Sequence, residues 1–213
     1  MLRHLDTDVR FKDVRYNGRK QHVVYNESMF PAVFLDRDGV LIENRADYVR
    51  EWSQVAVYPK TYSSLVRIQN AGYKIVIVTN QSAVGRGMLA LQTAHELNQR
   101  LVELIRENGG RVDGVYLCPH QPEDECDCRK PKPGMLLQAA NELRLDFSRS
   151  WMIGDAWSDI LAGRAVGVRG TILVQTGRGH DQLRQPHPDN LNSFFVATDL
   201  ANAAQIILAN GSP

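Results

Sequence analysis

The chain is short of cysteine, of charge imbalance and of long apolar runs. Its 213 residues hold three cysteines, Cys118, Cys126 and Cys128, all inside one eleven-residue stretch. An odd, clustered set is no disulfide framework and points to a metal. With 25 basic and 24 acidic residues the net charge is +1, without the basic excess of a general nucleic-acid binder. No apolar run approaches the ~20 residues of a membrane span. The charged N-terminus lacks the apolar core of a signal peptide. The expectation is a cytoplasmic protein with neither nucleic acid nor membrane as partner. Internal repeats and low-complexity tracts are also missing, which excludes a repeat architecture.

What is present becomes regular at Pro31. Ala32 to Leu35 reads as a short buried strand that stops at Asp36-Arg37-Asp38-Gly39. Two carboxylates at i, i+2 on leaving a strand point to different places, so one can attack while the other handles protons. Gly39 lets the chain turn away tightly. Further β-rich runs follow at Ile75–Val78, Val115–Leu117, Trp151–Ile153, Thr171–Val174 and Phe194–Val196. Between them lie helical patterns: one opened by Pro59 with Leu65 and Ile68 inward, then Leu91–Glu107, Gly134–Leu145, Asp159–Val166 and a closing Leu200–Leu208. Strands alternating with helices predict an α/β domain with a doubly wound, mainly parallel sheet over 31–213. Residues 1–30 form an N-terminal extension without evident chemistry. Val14–Gly18 and Gln21–Tyr25 read there either as a hairpin around Asn17-Gly18 or as a mobile appendage.

Parallel strands present their carboxyl ends on one edge, where such folds put their chemistry. Four polar clusters fall at those ends: Asp36 with Asp38, Thr79 with Asn80, Arg129 to Lys132, and Asp155 with Asp159. Together they suit phosphoryl transfer. Carboxylates hold an oxygen-loving Mg²⁺, which screens an anionic nucleophile from its anionic substrate. A hydroxyl and an ammonium can bind the phosphoryl oxygens as charge shifts. Cys118, His120, Cys126 and Cys128 offer three thiolates and one imidazole, a closed tetrahedral set for a structural Zn²⁺. That zinc loop, 118–128, leads directly into Arg129 and Lys130 and would fix where they point.

These motifs resemble the haloacid dehalogenase superfamily of aspartate-nucleophile phosphatases over about 31–179. The resemblance implies that Asp36 is the nucleophile and forms an aspartyl-phosphate. It makes Asp38 the general acid and then the base, and gives Thr79 and Lys130 the transferring phosphoryl group. It assigns Mg²⁺ to Asp36, the backbone carbonyl of Asp38, and Asp155, with Asp159 ligating indirectly or serving as a helix N-terminal carboxylate. No insertion between Val40 and Asp155 is long enough for a large cap domain, so short loops would set selectivity: Glu43 to Tyr48, Gln81 to Arg86, and the zinc loop.

Cys-Pro-His…Cys-Asp-Cys-Arg-Lys-Pro resembles two branches of the superfamily. The heptose 1,7-bisphosphate phosphatases remove the C7 phosphate of D-glycero-D-manno-heptose 1,7-bisphosphate. The histidinol-phosphate phosphatases serve histidine biosynthesis. The short spacer Gln121–Glu125 is similar to the histidinol branch. Asn80–Gly87, Tyr48-Val49, Pro133–Leu137 and Thr176-Gly177 are similar to the heptose branch, and more stretches side with it. Lys stands in some heptose enzymes where this chain has Ala156. Arg129 is the candidate for grasping the second phosphate through a bidentate fork. Asn80, Gln81, Ser82, Arg86 and Tyr48 complete the expected substrate contacts, for a monomer acting on a small phosphorylated sugar.

A receiver domain also uses an acidic cluster, a Thr and a Lys on a doubly wound sheet, but needs no second carboxylate like Asp38. A zinc-finger binding module fails on its single four-ligand cluster and the missing basic excess.

Overall fold

The strand at Ala32–Leu35 is buried at every position, as a short apolar run with a neighbour on each edge and helices on both faces requires. It is one of eight strands in a computed structural model that describes residues 10–16, 19–25, 29–188, 191 and 193–211. Two of them, β1 (Arg10–Tyr16) and β2 (Arg19–Tyr25), pair antiparallel as a separate two-stranded sheet, with Tyr16 opposite Arg19. The described part of the extension is therefore an antiparallel strand pair, as the hairpin reading expects; the expected turn residues Asn17 and Gly18 lie outside the described residues. The other six are β3 (Ala32–Leu35), β4 (Lys74–Asn80), β5 (Gly114–Cys118), β6 (Trp151–Gly154), β7 (Gly170–Val174) and β8 (Phe195–Ala197). They form one sheet in the order β5-β4-β3-β6-β7-β8, and every pairing is parallel.

Side-chain alternation divides the core. Val33, Leu35, Ile75, Ile77, Ile153, Ile172 and Val174 face one side. There they meet α1 (Thr61–Asn70) through Leu65 and Ile68, α3 (Leu91–Glu107) through Leu97, Leu101 and Ile105, and α7 (Leu200–Asn210) through Ala203, Ala204 and Ile207. Ala32, Phe34, Val76, Val78 and Met152 face the other. They meet α4 (Gly134–Leu143) through Met135, Leu136, Ala139 and Ala140, and α5 (Trp157–Ala165) through Ala162. Two single-turn helices complete the set, α2 (Ser82–Gly85) and α6 (Gly179–Gln182).

The differences from the predicted elements lie at their ends. α4 stops at Leu143, two residues early, because Arg144 takes a left-handed φ of 54° and the N–H of Leu145 turns back to the Ala140 carbonyl. Leu145 is then buried as a loop residue, and Leu143 is only half-buried. α5 starts two residues before the predicted Asp159, because the Asp159 carboxylate reaches back to the Ala156 N–H at 3.0 Å. The strand order reverses its direction of growth at β3 and β6, so the crevice beyond their carboxyl ends is where a ligand is expected.

Candidate active site

Asp36 and Asp155 are the residues immediately after β3 and β6, the two strands at this crevice. The Asp36 N–H donates to the Ile153 carbonyl at 3.0 Å, which carries the strand pairing right up to the site. Asp155 is fully buried and boxed in by backbone. A Cβ on Gly39 would lie 2.1 Å from Asp155 Oδ2, and one on Gly177 2.3 Å from it. Both glycines have positive φ, +89° and +58°, so no other residue fits either place without strain. Asp159 joins from the first turn of α5, and one carboxylate oxygen from each of the three acids lies within 4.8 Å of the others.

Two cations answer them. Lys130 Nζ, delivered by the loop after β5, donates to Asp36 Oδ1 at 2.9 Å, Asp159 Oδ1 at 2.6 Å and the Val78 carbonyl at 2.7 Å. All three of its protons are thereby used. Arg178 grips Asp155 with Nη2 on Oδ1 at 2.9 Å, while its backbone N–H donates to Oδ2 at 2.8 Å. Three carboxylates against two cations leave one negative charge uncompensated in a buried place. Burial pushes the Asp36 carboxyl up to about 6; Lys130 works against the shift, while Asp159 and Asp38 add to it. Burial also raises Asp155 in spite of Arg178. Burial opposes the charge on Lys130, yet Asp159 and Asp36 outweigh it and hold the ammonium above the ordinary lysine range. A cluster of hard oxygen donors with excess negative charge fits a divalent cation such as Mg²⁺.

Asp38 leaves this cluster, as the i, i+2 spacing predicts. The buried Arg37 holds it by Nη2 at 2.9 Å and Nε at 3.1 Å, and is itself braced by Asn98 Oδ1 at 2.7 Å. Gln81 Nε2 bridges Asp38 Oδ2 and the buried Thr79 Oγ1, each at 2.8 Å. Asn80 spends its amide on the Lys130 backbone, donating to the carbonyl at 3.0 Å and accepting from the N–H at 3.1 Å. It lines the crevice, but its contacts position Lys130.

The four zinc-loop donors converge. Cys118 and Cys128 Sγ are 3.0 Å apart, Cys126 and Cys128 3.4 Å, Cys118 and Cys126 3.6 Å, and His120 Nδ1 lies 3.3 Å from Cys128 Sγ. None is in a disulfide. A tetrahedral zinc with Zn–S near ~2.3 Å has donor–donor edges of about 3.8 Å. The observed spacings are all shorter, and it is the convergence of three thiols and one imidazole, a soft donor set, that fits Zn²⁺. The next residue, Arg129, has Nη1 fixed by Ser82 Oγ at 2.9 Å and the His120 carbonyl at 3.0 Å.

A cleft of about 420 Å³ opens above these groups, lined by Asp36, Asp38, Lys130 and Asp159 below and by Tyr48, Ser82, Arg86 and Arg129 at the sides. The structure thus gathers every expected site residue around one cleft, except that Thr79 and Asp155 lie beneath its lining and the zinc donors stand beside it. Residues 127–203 match the HAD-hydrolase-like family. The D-glycero-beta-D-manno-heptose-1,7-bisphosphate 7-phosphatase of Pseudomonas aeruginosa is 39% identical over 176 residues, 83% of this chain and 97% of that one.

The chain belongs to this heptose-bisphosphate phosphatase family.

Two solved structures share the fold, and the first of them is itself a heptose-bisphosphate phosphatase. The D,D-heptose 1,7-bisphosphate phosphatase from B. bronchiseptica, complexed with magnesium and phosphate, has a TM-score of 0.77 at 31% identity and covers 84% of this chain and 98% of its own. A HAD-like phosphatase from Mesorhizobium loti has a TM-score of 0.72 at 26% identity and covers 99% of this chain and 98% of its own. The relatives decide between the two branches left by the zinc loop in favour of the heptose enzymes. Sequence reasoning missed several residues of this heptose-bisphosphate phosphatase family member: Arg37 and Asn98, which hold Asp38, and Arg178, which holds Asp155. The expected selectivity loop Glu43 to Tyr48 does reach the cleft wall, through Asn44, Arg45 and Tyr48. Arg37 carried a signal, since it stands between the two aspartates. Arg178 follows the Thr176-Gly177 pair by one residue. Asn98 carried none, because it reads as one more polar position on α3.

Proposed function

We propose that this phosphatase removes the C7 phosphate of D-glycero-D-manno-heptose 1,7-bisphosphate through an aspartyl-phosphate on Asp36. The observation that carries the reading is the buried, charge-deficient cluster of Asp36, Asp155, Asp159 and Lys130 at the floor of a cleft walled by arginines. Asp36, Asp155 and the Asp38 carbonyl would hold Mg²⁺, which would supply positive charge to screen the nucleophile from the phosphoryl oxygens.

Asp36 attacks phosphorus and the sugar oxygen leaves. Asp38 gives that oxygen a proton, and then takes one from the water that cleaves the acyl phosphate. Arg37 and Gln81 hold Asp38 away from Asp36, so the two carboxylates keep separate duties. Lys130 and Thr79 bind the transferring group; Lys130 exchanges one of its three protein contacts for a phosphoryl oxygen. Arg129, held from behind by Ser82 and His120, takes the C1 phosphate, because its Nε and Nη2 make no hydrogen bond among the described residues. Arg86, Gln81, Ser82, Asn80 and Tyr48 shape the sugar site. Zn²⁺ on Cys118, His120, Cys126 and Cys128 stiffens the loop that carries Arg129 and Lys130.

We assign this chemistry to residues 31–213 of a cytoplasmic monomer, with 1–30 as an appendage; light scattering and cell fractionation test those two statements. No helix among the described residues is long and apolar enough to cross a membrane. Phosphorus NMR of the reaction tests the function. With Mg²⁺ the C7 resonance should vanish while the C1 resonance persists, and histidinol phosphate should turn over far more slowly. Loss of the C1 phosphate first, or a preference for histidinol phosphate, would overturn the substrate assignment.

A further inference from the structure

A second cavity, about 400 Å³ and so almost as large as the catalytic cleft, lies at the opposite edge of the sheet. Its walls come from the last turn of α5 and the loop after it (Arg164, Gly167, Val168), the entry to β7 (Arg169, Thr171) and the entry to β8 (Ser193, Phe194, Phe195). The amino ends of β7 and β8 meet here, whereas the catalytic residues follow the carboxyl ends. Nothing in the phosphatase reaction uses this place.

Three features make it more than a dent. Two exposed guanidiniums are braced from behind: Arg164 Nη1 donates to the Ser193 carbonyl at 2.8 Å, and Arg169 Nη2 to the Asn210 carbonyl at 2.6 Å. Each keeps further N–H groups for another acceptor. No carboxylate among the described residues lines the cavity to neutralise them. Thr171, only 3% exposed, forms part of the wall, and its Oγ1 has no hydrogen-bond partner, which is rare for a buried hydroxyl. Phe195 is 38% exposed and Phe194 half-buried, giving an apolar side to the same space. The carbonyls ending α5 do not repel an anion strongly, since those of Gly163 and Arg164 already accept from the N–H groups of Val168 and Gly167.

We propose that this cavity is a second binding site, for a small phosphate-bearing molecule. The phosphate sits between Arg164 and Arg169, guanidinium forks being suited to it. Its fourth oxygen or its organic body lies against Thr171, Phe194 and Phe195. Both free phosphate and a small phosphate monoester present this chemistry.

Amide NMR of the whole protein locates the binding directly. Inorganic phosphate and, separately, glycerol 3-phosphate are titrated in, and two groups of amides are followed: Gly167, Gly170 and Thr171 around the second cavity, and Asp36, Asp38 and Gly39 at the catalytic cleft. Both groups should shift, with different apparent dissociation constants. A tighter constant at the second cavity for the ester than for phosphate identifies the ester as the ligand type; equal constants identify phosphate. Arg164→Ala combined with Arg169→Ala should abolish the shifts of the first group and leave the second unchanged. Thr171→Val keeps the shape and should weaken binding at the second cavity roughly fivefold, the worth of about one neutral hydrogen bond. The proposal is overturned if the Gly167–Thr171 amides stay still with both probes, or if their shifts survive in the double variant.

Discussion

Arg129 and Arg178 have opposite relations to the cleft they share. Arg129 is anchored at one nitrogen, and its others have no partner among the described residues. It should therefore matter for the substrate's remote phosphate and little for the chemistry. Arg129→Ala is expected to lower kcat/KM for the heptose bisphosphate about 10- to 150-fold, the worth of a charged hydrogen bond of ~1.5–3 kcal/mol, while a small generic monophosphate loses much less. Equal losses on both substrates would put Arg129 at the transferring phosphate instead. Arg178 is bound to an acid that we assign to Mg²⁺, so its guanidinium competes with the ion for Asp155. Arg178→Met removes that competing charge. Calorimetric titration should show Mg²⁺ binding several-fold more tightly to the variant than to the wild type. Weaker binding would mean that Arg178 chiefly orients Asp155.

Elements rather than single residues explain how the cluster is held. Asp113, at the entry to β5, fastens β5 to β4: it accepts from the Ile75 N–H, Lys74 Nζ and Arg111 Nε, all at 2.9 Å. Burial acts to raise its pKa, but these donors outweigh it and hold the carboxyl below the ordinary value. A depressed folded pKa stabilises the native state fully above the unfolded value of ~3.9, and the contribution is lost as pH falls below that value. Asp113→Asn should thus lower Tm by a constant amount at neutral pH, and the gap should close below about pH 4; a gap independent of pH would show that the charge contributes nothing. The zinc loop is the second such device. Cys126→Ser should leave purified protein with far less zinc and with raised backbone mobility at Arg129 and Lys130, by metal analysis and amide exchange. Full zinc content, or unchanged protection, would contradict its role as a staple.

The elements were also the most legible part of the sequence. Buried strands such as Ala32–Leu35 announce themselves by unbroken apolar runs, and α3 matched its prediction from Leu91 to Glu107 because its apolar spacing is regular throughout. The ends of α4 and α5 were not legible, since they depend on a left-handed Arg144 and on a carboxylate of Asp159 turned back to the chain. The contacts between distant parts of the chain were invisible for the same reason. Nothing local links Lys130 to Asp159, Arg178 to Asp155, or Asn98 to Arg37. Motif residues could be placed at strand ends, but the residues that hold them had to be found in three dimensions.

At the scale of the whole molecule, a parallel sheet brings four strand ends to one edge, and the fold keeps that edge for acids, cations and a cleft without a large cap. In the proposed mechanism, what sets this arrangement apart from a receiver with similar groups is rapid turnover of a covalent phosphoryl group on Asp36. Mass spectrometry of protein quenched in acid during turnover of the heptose bisphosphate examines this directly, in the Asp38→Asn variant, where breakdown of the acyl phosphate is slow. One phosphoryl group should appear on the peptide containing Asp36 and be absent when Asp36 is also changed to Asn, and Asp36→Asn alone should be inactive. A phosphoryl group on another residue, or undiminished turnover by Asp36→Asn, would contradict the account.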